Sequence, residues 1–465
     1  MSSKSRMKKP NKIKNQDRVH GKGSPIPPDM KLELLPYSIT KVCTGGQVIT
    51  NFHGRKDLVA INWNDKAEIM NVEDFDIVKK ISDAIWEDFI KAKNLYPSLG
   101  SLPTGLMIHQ QAQKRLKDLL EPKYGGKKRV MFIKDTSGCG YWRMVVPMRY
   151  MDLSDVYFDM CENEVTYEYL LEYDTIVVQR LHQWREYYTI DRLKRTRPNL
   201  RIVYDIDDDI FNIPSSNPAS RLLRNDECEA ARGIMSIADV ITTTTEVLKQ
   251  SLGFPEKTVV IPNAIDLEDG YPSEWRGSAD EYKRILWQGS PTHQEDWEQC
   301  FSAVNRIIQD MPNVRLLIMV MLPTSVKQAV DSDDTPWWDG RVEYMDFKDV
   351  ETYVSLTKTI RADVGIAPLT TSKFNSCKSA LKWMEFTAIG IPTVASNASP
   401  YKEAITSGET GILANTEEEW YDALKALLQS DDKCCDMVRA AVDTINEKHD
   451  AKSVADDWKR TIFGG

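Results

Sequence analysis

The chain has 465 residues, of which 42% are apolar and 28% charged, and a formal net charge of −9. That length suits two or three globular domains, and no apolar run approaches the roughly 20 residues that a membrane-spanning helix needs. The eight cysteines show no CxxC and no metal-like Cys/His spacing, so neither a zinc site nor a disulfide framework is expected, and reduced thiols in a cytoplasmic protein are the natural reading.

The first residues, "MSSKSRMKKPNKIKNQDRVHGKGSP", are basic and polar without a hydrophobic segment, so no secretory signal is expected. Residues 1–30 read as a basic disordered tail. Residues 31–125 read as an N-terminal extension of unknown type, with short strands over 31–66 and helices over 74–94 and 105–120. Residues 1–150 sum to about +12 and the remainder to about −21. A second basic cluster, Lys114 to Arg149, lies beyond the tail. A basic front end suggests a polyanionic partner, DNA among them.

From residue 128 short apolar strands alternate with helices. "RVMFIKD", "DTIVVQR", "RIVYDID", "DVITTTT" and "KTVVIPN" form one run. After a polar linker near 268–282 the pattern restarts with "RILWQGS", "VRLLIMV", "RVEYMDF", "ADVGIAPL", "IPTVAS" and "TGILA". Such alternation predicts parallel sheets covered on both faces. Two runs predict an α/β chain of two tandem doubly wound, Rossmann-like domains facing a cleft, with ligands beyond the carboxyl ends of the strands. The expected boundaries are 126–267, 268–448 and a return helix over 449–465 on the first of these domains.

The strand ends carry the chemistry. "TSGCGYWR" follows the first strand and offers Gly140, Tyr141 and Arg143; Arg180 and His182 end the second. "VYDIDDDIF" brings Asp205, Asp207, Asp208 and Asp209 to a strand end. The first strand of the second domain ends in Gly289 and Ser290, followed by His293. In "SKFNSCKSALKWMEFTAIGIP", Lys378, Lys382 and Glu385 are spaced by four and three, which stacks all three on one helical face. Leu381, Met384 and Ala388 would face the sheet, with Gly390 and Pro392 ending the helix. His182 and His293 are general-base candidates, although a lone histidine near a strand end is more often structural. The aspartate run could bind Mg²⁺, but hydrogen bonding to acceptor hydroxyls is the preferred reading.

The segments "VIPNAID", "ADVGIAPL" and "KSALKWMEFTAIGIPTVAS...YKEAI...GETGILA" resemble the GT-B glycosyltransferases, in particular the retaining group that includes glycosyltransferase family 4; "VVYDIDDDIF" with "ADVITTTTEVL" resembles a subset found in surface-polysaccharide and bacteriophage gene sets. The resemblance covers about residues 128–460. It implies a C-terminal donor domain, an N-terminal acceptor domain and a nucleotide-sugar co-substrate, with no metal and no other cofactor. Glu385 matches the second glutamate of the family's E-x7-E motif, which typically binds the nucleotide ribose; the first position holds Cys377. Within that reading Lys378 and Asp207 are the catalytic candidates. Donor binding falls to Gly289, Ser290, Lys373, Asn375, Ser379, Lys382 and Glu385, and acceptor binding to Gly140, Tyr141, Arg143, Arg180 and Asp205. The expected activity is sugar transfer with retention. The acceptor is a hydroxymethylated base in viral DNA or, alternatively, a saccharide in surface-polysaccharide synthesis. Cys377 leaves a degenerate, non-catalytic binding module as a further alternative.

Overall fold

The computed structural model describes residues 127–464, apart from 136–137, 155, 162–166, 222 and 346–349. Before residue 127 it describes only 39, 41–42, 47–50, 58–63, 66–71, 76, 78–87, 108, 111–112 and 115. The expected tail over 1–30 lies outside the described residues.

The chain divides into Met1–Gly125 and Gly126–Gly465. In the first unit, β1 (Gln47–Thr50), β2 (Leu58–Trp63) and β3 (Lys66–Asn71) form an antiparallel sheet in that order. Residues 78–87 are helical.

The second unit holds two six-stranded parallel sheets. The first contains β4 (Lys128–Ile133), β5 (Val156–Cys161), β6 (Thr175–Gln179), β7 (Arg201–Asp205), β8 (Val240–Thr243) and β9 (Thr258–Val260), ordered β5-β4-β6-β7-β8-β9. The second contains β10 (Lys283–Gly289), β11 (Val314–Val320), β12 (Val342–Met345), β13 (Val364–Ala367), β14 (Thr393–Ser396) and β15 (Ile412–Ala414), ordered β12-β11-β10-β13-β14-β15. These are the two doubly wound domains that the alternating pattern predicts. The central strands β6, β13 and β14 are buried throughout, which is why their middles are apolar and their only polar residues, Thr175, Gln179, Thr393 and Ser396, stand at the ends. Strand order reverses between β4 and β6, and again between β10 and β13. Each reversal opens a crevice at the carboxyl ends of the strands.

One strand, β5, is absent from the sequence-based reading. Among the described residues it stands at the sheet edge and pairs with β4, from Lys128↔Val156 to Ile133↔Cys161, and most of its residues are half-buried, so its periodicity is weak. The helix expected to run from Lys378 is also shorter. Lys373–Ser376 forms one turn, Cys377 to Ala380 leave the helix, and the main helix is Leu381–Ala388. Lys378 therefore precedes that helix rather than sharing its face with Lys382 and Glu385. Gly390, at φ +76°, reverses the chain after the helix, and a Cβ there would lie 2.0 Å from the Glu274 carbonyl oxygen; only glycine fits.

The terminal helix Ala451–Phe463 packs on the first sheet domain. Arg201 Nη2 donates to the Thr461 carbonyl at 2.9 Å, and the Arg143 guanidinium lies 5.1 Å from the Trp458 ring centroid. A single apolar cluster links Val130, Phe132 and Val177, through Val454 and Trp458, to Leu286, Ala367 and Trp383. The two sheet domains thus share a continuous core on one side and meet through polar groups on the other.

Candidate active site in the interdomain cleft

The second domain brings the ends of β10 and β13 together. Gly289 closes β10, where a Cβ would meet the Trp287 ring at 2.5 Å. The Ser290 and Thr292 hydroxyls are 2.7 Å apart. Asp296, 4% exposed, ties the two loops together. Its Oδ1 accepts from Thr370 N and Thr370 Oγ1, each at 2.8 Å, and from Asn375 Nδ2 at 3.2 Å. Its Oδ2 pairs with His293 Nδ1 at 2.8 Å. Asn375 also donates to the Thr370 carbonyl, so its amide braces the loops from inside. Lys373 is exposed at the rim.

Lys382 and Glu385 stand on the cleft side of the helix Leu381–Ala388. Glu385 accepts from Tyr353 Oη at 2.8 Å and from Gln288 Nε2 at 3.1 Å. Burial raises its carboxyl to about 7, against the pull of Tyr353 and Lys382. Burial likewise lowers the Lys382 ammonium to about 8, with Asp296 and Glu385 opposing. Lys378 sits over the Phe374 ring at 4.4 Å and reaches across the cleft to Asp208 Oδ1 at 3.1 Å. Ser379 Oγ accepts from Asn263 Nδ2 at 2.8 Å, a second link between the domains.

On the facing domain, Asp135 follows β4, Arg180 follows β6, and Asp207 and Asp208 follow β7. Gly140 lets the turn after β4 close tightly, since a Cβ there would lie 2.1 Å from the Asp135 carbonyl oxygen. Arg180 has φ +53°, a left-handed conformation that a non-glycine residue adopts only where its surroundings hold it. Its guanidinium lies 3.6 Å from Asp207 Oδ1, 3.8 Å from Asp135 Oδ2 and 3.0 Å from Cys139 Sγ. Asp207 Oδ1 is buried and makes no hydrogen bond. Burial pushes the Asp207 carboxyl up, opposed by Arg180 and aided by Asp208. Burial also acts upward on Asp208, but Lys378 and Arg180 outweigh it and hold that carboxyl down. Neighbouring carboxylates pushed in opposite directions are a recurring mark of reactive sites.

The structure separates some of the sequence candidates from the cleft. Arg143 and Asp205 are 1% and 0% exposed and pair with each other at 2.7 Å. Asp205 also accepts from Thr242 and Gln179, and Arg143 donates to the Ile261 carbonyl, so their charged atoms face inward. Tyr141 is buried, and its hydroxyl accepts from Arg149 at 3.1 Å. Cys377 is buried within the first domain's apolar cluster, with Sγ 3.6 Å from Asp209 Oδ2. Four contributors were not named from sequence as site residues: Gln288, Tyr353, Asp208 and Asp296. A further one, His293, was weighed only as a general base. The His–x–x–Asp spacing in "THQED" was the one readable signal for a paired imidazole. Among the described residues no group of three or more His, Cys, Asp or Glu side chains is placed to hold a metal ion, and no helix is long and apolar enough to cross a membrane.

Residues 282–430 match the family model described as glycosyl transferases, group 1. No curated protein matches the chain by sequence. Among solved structures, the complex of Anabaena Alr3699/HepE with UDP is similar at 12% identity and a TM-score of 0.52, over 72% of this chain and 99% of that one. The complex of the same protein with UDP-glucose gives 12% and 0.52, over 72% and 98%. Sucrose-phosphate synthase (tll1590) from Thermosynechococcus elongatus gives 12% and 0.50, over 72% and 98%. The fold is therefore GT-B, and the second sheet domain is of the group 1 type. The group 1 match spans residues 282–430, within the second sheet domain.

Proposed function

We propose that the protein transfers a glycosyl group from a nucleoside diphosphate sugar, bound by the second sheet domain, to a saccharide hydroxyl held by the first. The observation that carries this reading is the convergence of Lys378, Lys382 and Glu385 at the crevice between β10 and β13. Lys378 and Lys382 neutralise the diphosphate, and Glu385 accepts from the ribose hydroxyls. Asp207 Oδ1, which makes no hydrogen bond, accepts from a neighbouring hydroxyl of the acceptor and so orients it, leaving the attacking hydroxyl's hydrogen for the phosphate. Transfer proceeds with retention. The bond from the anomeric carbon to the diphosphate breaks, and its electron pair stays on the phosphate oxygen. The acceptor oxygen bonds the same face, and its proton passes to the departing phosphate. Ammonium groups stabilise the leaving charge without a divalent metal. The complexes of HepE with UDP and UDP-glucose make UDP-glucose the first donor to assay.

The charge pattern that suggested a DNA acceptor does not continue into the cleft. Lys127, Lys128 and Arg129 lie at the start of β4, the opposite edge of the sheet from the crevice. Arg143 is paired inside the core, and Arg149 is paired with Asp266 and Asp269. The strand-end segments on the acceptor side carry Lys134, Asp135, Arg180, Asp207 and Asp208, an acidic balance that disfavours a polyanion. A neutral saccharide meets no such penalty, and carboxylates are good acceptors for its hydroxyls. The test incubates the protein with a panel of nucleoside diphosphate sugars, an oligosaccharide pool and hydroxymethylated duplex DNA. Mass analysis is expected to find a glycosyl increment on a saccharide, with the donor's anomeric configuration by NMR. An increment on DNA alone would overturn the saccharide reading.

A further inference from the structure

The turn after β10 carries a histidine whose surroundings are built. Pro291–His293 leads into Gln294–Trp297, and the other domain clamps this turn from outside. Asn217 Nδ2 donates to the Thr292 carbonyl at 3.3 Å, and Ser216 Oγ donates to Glu295 Oε2 at 2.9 Å. From inside, Asp296 holds the His293 ring at 2.8 Å. Asp296 is itself fixed by Thr370 and Asn375. A carboxylate can only accept, so Nδ1 carries the hydrogen and Nε2 is the variable position. Among the described residues Nε2 has no hydrogen-bond partner.

The charged groups around the ring come from three segments. Asp296 lies on its own turn, Lys378 and Lys382 lie on the segment after β13, and Asp208 lies on the loop after β7. Burial lowers the imidazole to about 4, with Lys382 and then Lys378 adding to the effect and Asp296 opposing. The structure thus sets a neutral ring beside two ammonium groups. A diphosphate entering between those lysines would reverse the local field.

We infer that His293 is a binding residue for the donor's diphosphate: with Nδ1 committed to Asp296, Nε2 takes up a proton as the diphosphate enters and donates a hydrogen bond to a phosphate oxygen. The inference rests on the reading of this crevice as the donor site. It makes nucleotide binding a proton-coupled event, and it gives the site a third cation only when a ligand is present to need one.

Calorimetric titration of the full chain with UDP, and with GDP and ADP as further arms, in several pH 7 buffers of different ionisation enthalpy tests this. For the wild type the observed enthalpy is expected to depend on the buffer, with proton uptake. In His293→Gln the uptake should fall, and affinity should drop about tenfold, the loss of one hydrogen bond to a charged group. Proton exchange by Lys382 and Glu385 is common to both proteins and is removed by the difference. NMR of the His293 ring in the wild type should show titration moving to higher pH when the nucleotide binds, which keeps the test independent of the variant's folding. Binding with equal proton uptake and affinity in wild type and variant would overturn this inference alone. Failure of the wild type to bind any nucleoside diphosphate would overturn the donor reading with it.

Discussion

Replacing Lys378 with alanine is expected to lower turnover far more than donor affinity. In the resting structure its ammonium is engaged by Asp208 at 3.1 Å, and the two side chains are 20% and 24% exposed. Binding the diphosphate must loosen or share that ion pair, so part of the new interaction replaces an old one and ground-state affinity gains little. Negative charge on the diphosphate grows as the sugar bond breaks, and the gain falls in the transition state. One preorganised donor aimed at developing charge is worth roughly 2.7–4 kcal/mol, so kcat should fall about 10²- to 10³-fold. KM should change by less than about fivefold, since the Asp208 carboxylate left behind still faces Arg180. Initial rates over a range of donor concentrations, with Lys378→Ala beside Asp208→Asn and the double variant, would show the split. Asp208→Asn frees the lysine and should tighten donor binding slightly. A loss confined to KM, or wild-type turnover in Lys378→Ala, would refute the leaving-group role.

The pH profile of kcat/KM should be bell-shaped, with limbs near the values of Glu385, about 7, and Lys382, about 8. Glu385→Gln should remove the acid limb and Lys382→Arg should shift the alkaline one. Glu385 binds a proton more tightly folded than unfolded, so its contribution opposes folding as pH rises from its ordinary 4.5 towards about 7; thermal melts of Glu385→Gln should lose that slope. Cys377→Glu, which restores the E-x7-E spacing, should lower the melting temperature, because it sets a carboxylate against Asp209, now 3.6 Å from the thiol sulfur. Activity should survive a chelator; abolition by EDTA with rescue by Mg²⁺ or Mn²⁺ would assign metal work to the Asp205 to Asp209 run.

The fold was legible because the buried parallel strands carry short apolar, β-branched runs between helices, as β6, β13 and β14 do. The edge strand β5 was not, since a strand paired on one side needs no such run. The site was legible where function depends on residue type close in sequence: Lys378, Lys382 and Glu385 lie within eight positions, and the structure brings them to one crevice. It was illegible where partnership is long-range. Nothing in "VYDIDDDIF" tells which aspartate turns inward. The structure decides it: Asp205 faces Arg143, 62 positions away, while Asp208 faces Lys378, 170 positions away. Arg143 looked like a cleft residue because arginine after a glycine-containing loop often is one. Here its Nε, Nη1 and Nη2 donate to Asp205, the Ile261 carbonyl and Asn263. The Asp296 network escaped for the same reason, as its partners Thr370 and Asn375 lie 74 and 79 positions on.

The two sides of the domain interface differ in how costly they are to open. The side carrying the return helix is one apolar cluster that includes Trp458, Trp383 and Ala455. At about 25 cal/mol per Å² of apolar surface, exposing even a few of those side chains would cost several kcal/mol. The cleft side is held by single polar links: Lys378 to Asp208, Asn263 to Ser379, Thr245 Oγ1 to the Cys377 carbonyl, and Asn217 to the Thr292 carbonyl. Part-buried links of this kind contribute about 0.5–1.5 kcal/mol each, net of the water that can replace them. A donor that must reach the β10 and β13 crevice therefore meets a door latched by weak polar contacts and hinged on an apolar core. Lys378 belongs to both the latch and the site. On the donor reading proposed above, the diphosphate would compete with Asp208 for the Lys378 ammonium. Asp208, relieved of Lys378, would stand beside Asp207 and Arg180, where its charge raises the cost of ionising Asp207.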